Sequence, residues 1–167
     1  EVGMCTGLNV LMTALANEGL KKELRYDAVE AFPVEVELLN QLNYAEQLLH
    51  PSASMFFESI HQSPWNEEVA ITPLLKLTKI EAPIEAIDFS PEQYDLIYFD
   101  AFAPEVQGEL WTNELFSKMF TVLKPGGVLS TYCVKGDVKR ALIEQGFTIE
   151  KHPGPDGGKR EGLRAMK

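Results

Sequence analysis

Apolar residues along the chain fall into two rhythms, a helical spacing and short continuous runs, with turn-forming residues between them. After Glu1-Val2-Gly3-Met4-Cys5-Thr6-Gly7, the residues Leu8, Leu11, Met12, Leu15 and Ala16 recur at helical spacing, and Gly19 is a natural stop. Leu24 to Val29 reads as a strand ending at Glu30. Pro33 opens a helix that Val34, Val36, Leu38, Leu39, Leu42 and Leu48 carry unevenly to about His50. Pro51 breaks the pattern, and Ser52 or Ser54 is placed to cap a short helix with Met55, Phe56, Phe57 and Ile60. Val69 to Ile71 and Leu75 to Ile80 read as two strands around Thr72-Pro73, a hairpin inserted into the main pattern.

The clearest strand is Tyr94-Asp95-Leu96-Ile97-Tyr98-Phe99, an apolar and aromatic run that predicts burial on both faces, as in a parallel sheet. It ends in Asp100, followed by Ala101-Phe102-Ala103-Pro104, where Pro104 keeps Ala103 out of the helical region. Thr112 is a cap for a helix through Leu115, Phe116, Met119, Phe120 and Leu123. Lys124-Pro125-Gly126-Gly127 is expected to end that helix and introduce a strand from Val128 to Tyr132. A helix from Gly136 to Gln145 follows, closed by Gly146. Thr148 to His152 and Gly162 to Ala165 read as a last pair of strands joined by the turn 153–158.

Strands alternating with helices predict an α/β fold with a mostly parallel, Rossmann-like sheet, and the last pair an antiparallel edge hairpin. One domain over residues 1–167 is expected, opening on the end of a strand whose beginning lies upstream. No apolar run reaches about 18 residues, which excludes a membrane-spanning helix. Cys5 and Cys133 are too few for a disulfide framework and have no metal-ligand spacing, so a reducing, cytoplasmic setting is expected and no metal. The net charge of −10 argues against a protein coated in basic surface for nucleic acid. A local basic cluster nevertheless lies near the end, at Lys159, Arg160, Arg164 and Lys167.

Ligands of open α/β sheets sit outside the carboxyl ends of the strands. Asp100 is therefore where a chemical group is expected, although an aspartate there also suits a simple cap. Glu1-x-Gly3-x-Cys5-x-Gly7, between a strand and a helix, has the form of a nucleotide-binding turn that brings backbone amides to a ligand. Glu30, at the end of the next strand, is placed to grip ribose hydroxyls. The turn lacks a Lys-Ser/Thr pair, which lowers a phosphate-loop reading and favours a ligand such as S-adenosylmethionine.

Gly3-x-Cys5-Thr6-Gly7-Leu8-Asn9, Glu30-Ala31-Phe32-Pro33, Phe99-Asp100-Ala101-Phe102-Ala103-Pro104, Leu110-Trp111-Thr112, Lys124-Pro125-Gly126-Gly127 and Gly158-Lys159-Arg160-Glu161 occur in one order. Together they resemble the methyltransferase domain of the MnmC family over nearly the whole chain. The resemblance implies a class I S-adenosylmethionine-dependent methyltransferase that converts 5-aminomethyl-(2-thio)uridine at the tRNA wobble position to its 5-methylaminomethyl form. In many bacteria that domain is fused to an FAD-dependent oxidoreductase domain. Nothing here resembles the second domain, so the chain reads as the stand-alone version, with a separate oxidoreductase as a potential partner.

The resemblance carries donor contacts to Glu1, Gly3, Cys5, Gly7 and Glu30. The family places glycine where Cys5 stands, and an acid facing adenine near Ala82; either Glu81 or a backbone amide is left to serve there. Asp100, also near the donor, is the catalytic candidate, orienting the amine and accepting its proton. Phe102, Pro104 and Trp111 would line the pocket for an extruded base, and Lys159 and Arg160 would meet tRNA phosphates. Hydrophobic packing is the plain alternative for the aromatics, and a solvated turn for the cations. Two other functions fit the pattern. One is an aminopropyltransferase resembling spermidine synthase, whose polyamine substrate would suit an acidic protein. The other is a non-catalytic nucleotide- or RNA-binding module.

Overall fold

The computed structural model describes residues 1–154 and 161–167. The chain forms two compact units, one of Glu1 and residues 3–86, the other of Val2 and residues 87–167.

In the first unit the order is α1 (Leu8–Leu20), β1 (Leu24–Glu30), α2 (Val36–Leu39), α3 (Tyr44–Leu48), α4 (Ala53–Gln62), β2 (Glu68–Thr72) and β3 (Leu75–Glu81). The sheet order is β1-β3-β2. Val10, Leu11 and Ala14 of α1, Phe56 and Ile60 of α4, and Ala28, Leu75 and Leu77 of the sheet are buried together as its core. β3 runs parallel to β1 from Leu24 opposite Leu75 to Glu30 opposite Glu81. The expected hairpin around Thr72-Pro73 is present, β2 pairing antiparallel with β3. It is not set apart as an insertion: β3 pairs with β1 in the same three-stranded sheet, and β2 forms its edge. Leu75, Leu77 and Lys79 alternate inward along β3, a period-two burial that only a half-covered strand shows.

The long helix expected from Pro33 to His50 is two short ones, interrupted over residues 40–43. Asn40 and Asn43 flank the gap, and asparagine favours local bonds that compete with helix. α1 continues one residue past Gly19. The buried Asn17 side chain ends it instead, donating to the Lys22 carbonyl at 2.8 Å and accepting from the Lys22 amide at 3.1 Å.

The second unit contains β4 (Tyr94–Tyr98), a one-turn 3-10 helix (Gly108–Leu110), α5 (Asn113–Val122), β5 (Leu123–Thr131), α6 (Gly136–Glu144), β6 (Thr148–Pro153) and β7 (Glu161–Met166). Its sheet order is β4-β5-β7-β6. β5 is parallel to β4, while β7 is antiparallel to both β5 and β6, so the expected antiparallel final pair is present. Val2 lies beside the end of β4: its amide donates to the Tyr98 carbonyl at 2.8 Å, and the Asp100 amide donates to its carbonyl at 3.0 Å. Thr112 caps α5 as expected, its hydroxyl accepting the Leu115 amide at 3.2 Å, a bond worth about 1 kcal/mol.

Lys124-Pro125-Gly126-Gly127 does not introduce β5 but lies inside it. The register with β4 shifts there, and Gly126, at φ 78°, holds the resulting bulge. Lys124 closes it with an ion pair to Asp95 at 2.7 Å. Nor is β4 buried on both faces: Asp95 and Leu96 are exposed, while Ile97 and Phe99 are buried. Among the described residues, no helix is long and apolar enough to cross a membrane.

Candidate active site

The donor turn belongs to the first unit. The Gly3 and Met4 amides donate to the Val29 carbonyl at 3.0 and 3.1 Å, and the Gly7 amide returns to the Met4 carbonyl at 2.8 Å. Gly3, Cys5 and Gly7 have φ of 83°, 47° and 73°, left-handed values that favour glycine. Gly7 is also closely packed: a Cβ there would sit 3.2–3.3 Å from the His61 ring and the Met4 methyl, a tight contact that those side chains would have to relieve. Cys5 pays for its conformation in strain of about 1 kcal/mol. Its amide is held by Glu30 Oε2 at 2.9 Å, while Glu30 Oε1 accepts the Phe32 amide at 2.9 Å. The Thr6 hydroxyl is hydrogen-bonded to the Tyr44 hydroxyl at 2.9 Å.

Glu1 is anchored through both carboxylate oxygens. Its two oxygens accept from Asn9 Nδ2 at 2.7 Å and from the Tyr26 hydroxyl at 2.9 Å, tying α1 to β1. Glu81 is exposed at the carboxyl end of β3, directly opposite Glu30 in the parallel register. Residues opposite one another in a sheet project to the same side, so these two acids share one edge. The Ala82 amide, by contrast, is taken by the Glu30 carbonyl at 3.2 Å, and Asn66 Oδ1 accepts the Glu81 amide at 3.0 Å.

Beneath the turn lies a pair the sequence did not disclose. Lys79 is 2% exposed on β3, yet its ammonium donates to the His61 carbonyl at 3.1 Å and stands 4.9 Å from the centre of the Trp65 ring. Burial lowers its pKa. His61 packs edge-on to Phe57, and its Nε2 is buried without a hydrogen-bond partner. Burial, then the Lys79 charge, lowers the imidazole to about 4 against the opposing pull of the Thr6 carbonyl, so the ring is neutral at physiological pH.

The acceptor loop belongs to the second unit, and its backbone is fastened at successive positions. The Asp100 amide is bonded to Val2, as above. The Ala101 carbonyl accepts the Tyr132 hydroxyl at 2.8 Å. The Phe102 amide donates to Gln107 Oε1 at 3.1 Å, and the Phe102 carbonyl accepts the Trp111 indole N–H at 2.8 Å. Glu105 forms an ion pair with Lys135 at the start of α6. Asp100 is exposed at the carboxyl end of β4. The Phe102 side chain is 63% exposed, and Pro104 is half-buried.

Trp111 packs edge-on to Phe99 at 5.1 Å, Phe116 at 6.3 Å and Tyr132 at 6.2 Å. Such pairs contribute about 0.5–1.5 kcal/mol each beyond their area. Trp111 is thus built into the frame of the loop, while Phe102 carries the exposed aromatic face. Gln107 and Tyr132 were not singled out in the sequence. The signal for Tyr132 was register: Tyr98 stands opposite Ser130, which brings the end of β5 alongside Asp100.

Of the basic cluster, Lys159 and Arg160 lie outside the described residues. Arg164 is exposed on β7. Lys167 is not a free surface cation: its ammonium donates to the Leu123 carbonyl at 2.7 Å and lies over the Phe120 ring. Among the described residues, no group of three or more His, Cys, Asp or Glu is arranged to hold a metal ion.

The donor turn fits an adenosyl ligand on its own geometry. A glycine-rich turn opens the 13-residue α1, and each Glu30 oxygen accepts one backbone amide while retaining a lone pair for a ribose hydroxyl. Comparison with known proteins identifies the family. Residues 40–167 match the family described as S-adenosyl-L-methionine-dependent methyltransferase. The chain is 32% identical to the tRNA 5-methylaminomethyl-2-thiouridine biosynthesis bifunctional protein MnmC of Magnetococcus marinus, over 99% of this chain and 26% of the relative. It is 30% identical to the protein of the same name from Idiomarina loihiensis, over 98% of this chain and 28% of the relative. The chain therefore spans about a quarter of the length of these curated relatives.

Among solved structures, it superposes on MNMC2 from Aquifex aeolicus with a TM-score of 0.73 at 22% identity, covering 98% of this chain and 51% of the other. A methyltransferase from Pyrococcus furiosus gives a TM-score of 0.56 at 16% identity, covering 98% and 71%. These likenesses bear out the α/β methyltransferase fold and the MnmC resemblance read from the sequence. The chain belongs to the S-adenosyl-L-methionine-dependent methyltransferase family.

Proposed function

We propose that the chain transfers the methyl group of S-adenosylmethionine to the primary amine of 5-aminomethyl-(2-thio)uridine at the wobble position of tRNA, in the cytoplasm. The observation that carries this reading is Asp100, an exposed carboxylate at the end of β4 on a loop whose backbone is fastened residue by residue. The names of the MnmC relatives point to the same modified nucleoside.

The donor supplies an electrophilic methyl group on a sulfonium. Glu30 and Glu81, in register at one sheet edge, are assigned to its ribose and adenine, and the turn from Gly3 through Cys5 to Gly7 to close backbone approach. The attacking amine is mostly protonated at neutral pH and must lose a proton before nitrogen can form the new bond. Asp100 is assigned to orient that amine and take its proton first. The freed lone pair then forms the nitrogen–carbon bond as the methyl–sulfur bond breaks. S-adenosylhomocysteine leaves with the sulfur electron pair, and the methylated ammonium keeps its two remaining protons. Fixing nitrogen and methyl in line supplies most of the remaining acceleration. Phe102 and Pro104 are assigned as the stacking face for the extruded base, and Trp111 holds the Phe102 carbonyl. Lys159, Arg160 and the exposed Arg164 are assigned to phosphates.

The test is transfer of labelled methyl from S-adenosylmethionine to tRNA bearing 5-aminomethyluridine, with wild type and Asp100→Ala side by side. Transfer that falls at least about a hundredfold in the variant, with donor affinity kept, is expected. Donor binding with transfer to polyamine and none to tRNA would overturn the reading, as would donor binding with no transfer at all.

A further inference from the structure

Tyr132 has no part in the roles assigned above, yet it is built into the loop that carries Asp100. β5 delivers it: Ser130 stands opposite Tyr98 in parallel register, and Tyr132 follows two residues later, as Asp100 follows Tyr98. Its hydroxyl donates to the carbonyl of Ala101, the residue next to Asp100, at 2.8 Å. Ala101 is 3% exposed while Tyr132 is 47% exposed, so the hydroxyl reaches from a half-exposed ring to the carbonyl of a buried residue. The Tyr132 ring stands edge-on to Trp111, whose indole holds the next carbonyl in the chain. Two aromatic side chains thus grip consecutive carbonyls, and together with the Asp100 and Phe102 amide bonds they leave the backbone around Asp100 little freedom. Burial first, then Cys133 and Asp100, raise the Tyr132 pKa, so the phenol remains a donor throughout the working range.

We propose that Tyr132 is a positioning residue for Asp100, its hydroxyl fixing the Ala101 carbonyl and thereby the direction of the neighbouring carboxylate. The proposal rests on the reading of Asp100 as the partner of the amine. An error of about 1 Å in such a group is enough to cost a large factor in rate while binding persists.

The test is Tyr132→Phe, which keeps the ring and its packing and removes only the hydroxyl. The expected result is a fall in kcat of about tenfold, with KM for tRNA, donor affinity and Tm little changed. In an Asp100→Asn background the same substitution should cost almost nothing more, because there is no carboxylate left to aim. A hydroxyl that served stability alone would lower Tm equally in both backgrounds and leave kcat at the wild-type value. If Asp100→Ala abolishes transfer while Tyr132→Phe matches wild type, the positioning role is overturned and the methyl-transfer reading stands. If Asp100→Ala transfers normally, that reading falls, and amide hydrogen exchange decides the strap alone. Exchange at Asp100 and Phe102 at least about fivefold faster in Tyr132→Phe supports it, and unchanged exchange overturns it.

Discussion

The donor turn and the acceptor loop solve the same problem, holding an irregular backbone still, with different side chains. In the donor turn the fastener is the functional group itself: Glu30 takes the Cys5 and Phe32 amides with the carboxylate assigned to ribose. In the acceptor loop the work is divided. Tyr132, Trp111 and Gln107 hold the backbone, and Asp100 is carried on what they hold. Binding a ligand and keeping a shape are therefore coupled in the first unit and separable in the second. On the proposed reading of Asp100, that separation leaves the holding of the backbone to neutral side chains, Tyr132, Trp111 and Gln107.

The comparison breaks most visibly if Asp100 and Glu30 behave alike. Asp100→Ala is expected to remove at least about a hundredfold of the transfer rate while donor affinity and Tm stay near wild type. Glu30→Ala should do the reverse in kind, weakening donor binding about 10–100-fold and lowering Tm, since two backbone amides lose their acceptor at once. Calorimetric donor titration and thermal unfolding of both variants read the difference. A Glu30 variant with unchanged Tm would show that the carboxylate is only a ligand, and the contrast between the regions would vanish.

Much of this division was legible in the sequence, and what was missed has physical causes. Glu30 and Asp100 stood out because each ends an apolar run, and strand ends are where α/β folds place chemistry. Thr112 was readable as a cap because its partner lies three residues away. Tyr132 was not readable, because its bond spans 31 positions and depends on which strands pair. The same holds for Lys79 and His61, separated by 18 residues and joined only when β3 takes its place beside β1. The interrupted helix after Pro33 and the bulge at Lys124-Pro125-Gly126-Gly127 failed for another reason. In the helix, Asn40 and Asn43 made local propensity weak, and at the bulge the sequence pointed to a turn that sheet pairing overrode. Glu1 reads as part of a ligand motif, and its bonds to Asn9 and Tyr26 were not legible, because only folding supplies those partners.

A smaller effect sharpens the contrast through pH, because the donor turn rests on a titratable group. With His61 held near 4 in the fold and near 6.5 when unfolded, the unfolded chain binds the proton first as pH falls. The contribution of the neutral ring is thus complete above about pH 6.5, is lost between there and about pH 4, and changes no further below. Solvent reaches part of the ring, so the loss should be about 1–2 kcal/mol. Tm measured from pH 8 to pH 4 in wild type and His61→Gln reads it as the difference between the two curves, which cancels the carboxylates common to both. Parallel curves would show that the imidazole is already as free to protonate in the fold as outside it. The Lys79 ammonium, the Thr6 carbonyl, Phe57 and Gly7 lie around the ring, and only Lys79 among them carries a charge.

The smallest expected change concerns Cys5, and it separates strain from ligand contact. At φ 47° a cysteine is strained by about 1 kcal/mol, which glycine would relieve. Glycine would also loosen the unfolded chain by a similar amount, so Tm of Cys5→Gly should move little in either direction. Donor affinity does not share that cancellation, because both its reference states are folded. If the exposed Cys5 side chain crowds the donor, removing it should tighten binding about two- to fivefold with Tm unchanged. Cys5→Ala is the companion variant: it keeps the strain and trims only the sulfur. Equal gains in both variants assign the effect to crowding, whereas a gain in glycine alone assigns it to the left-handed backbone. No gain in either would mean that the turn tolerates cysteine because Glu30, and not the residue at its apex, sets the position of the Cys5 amide.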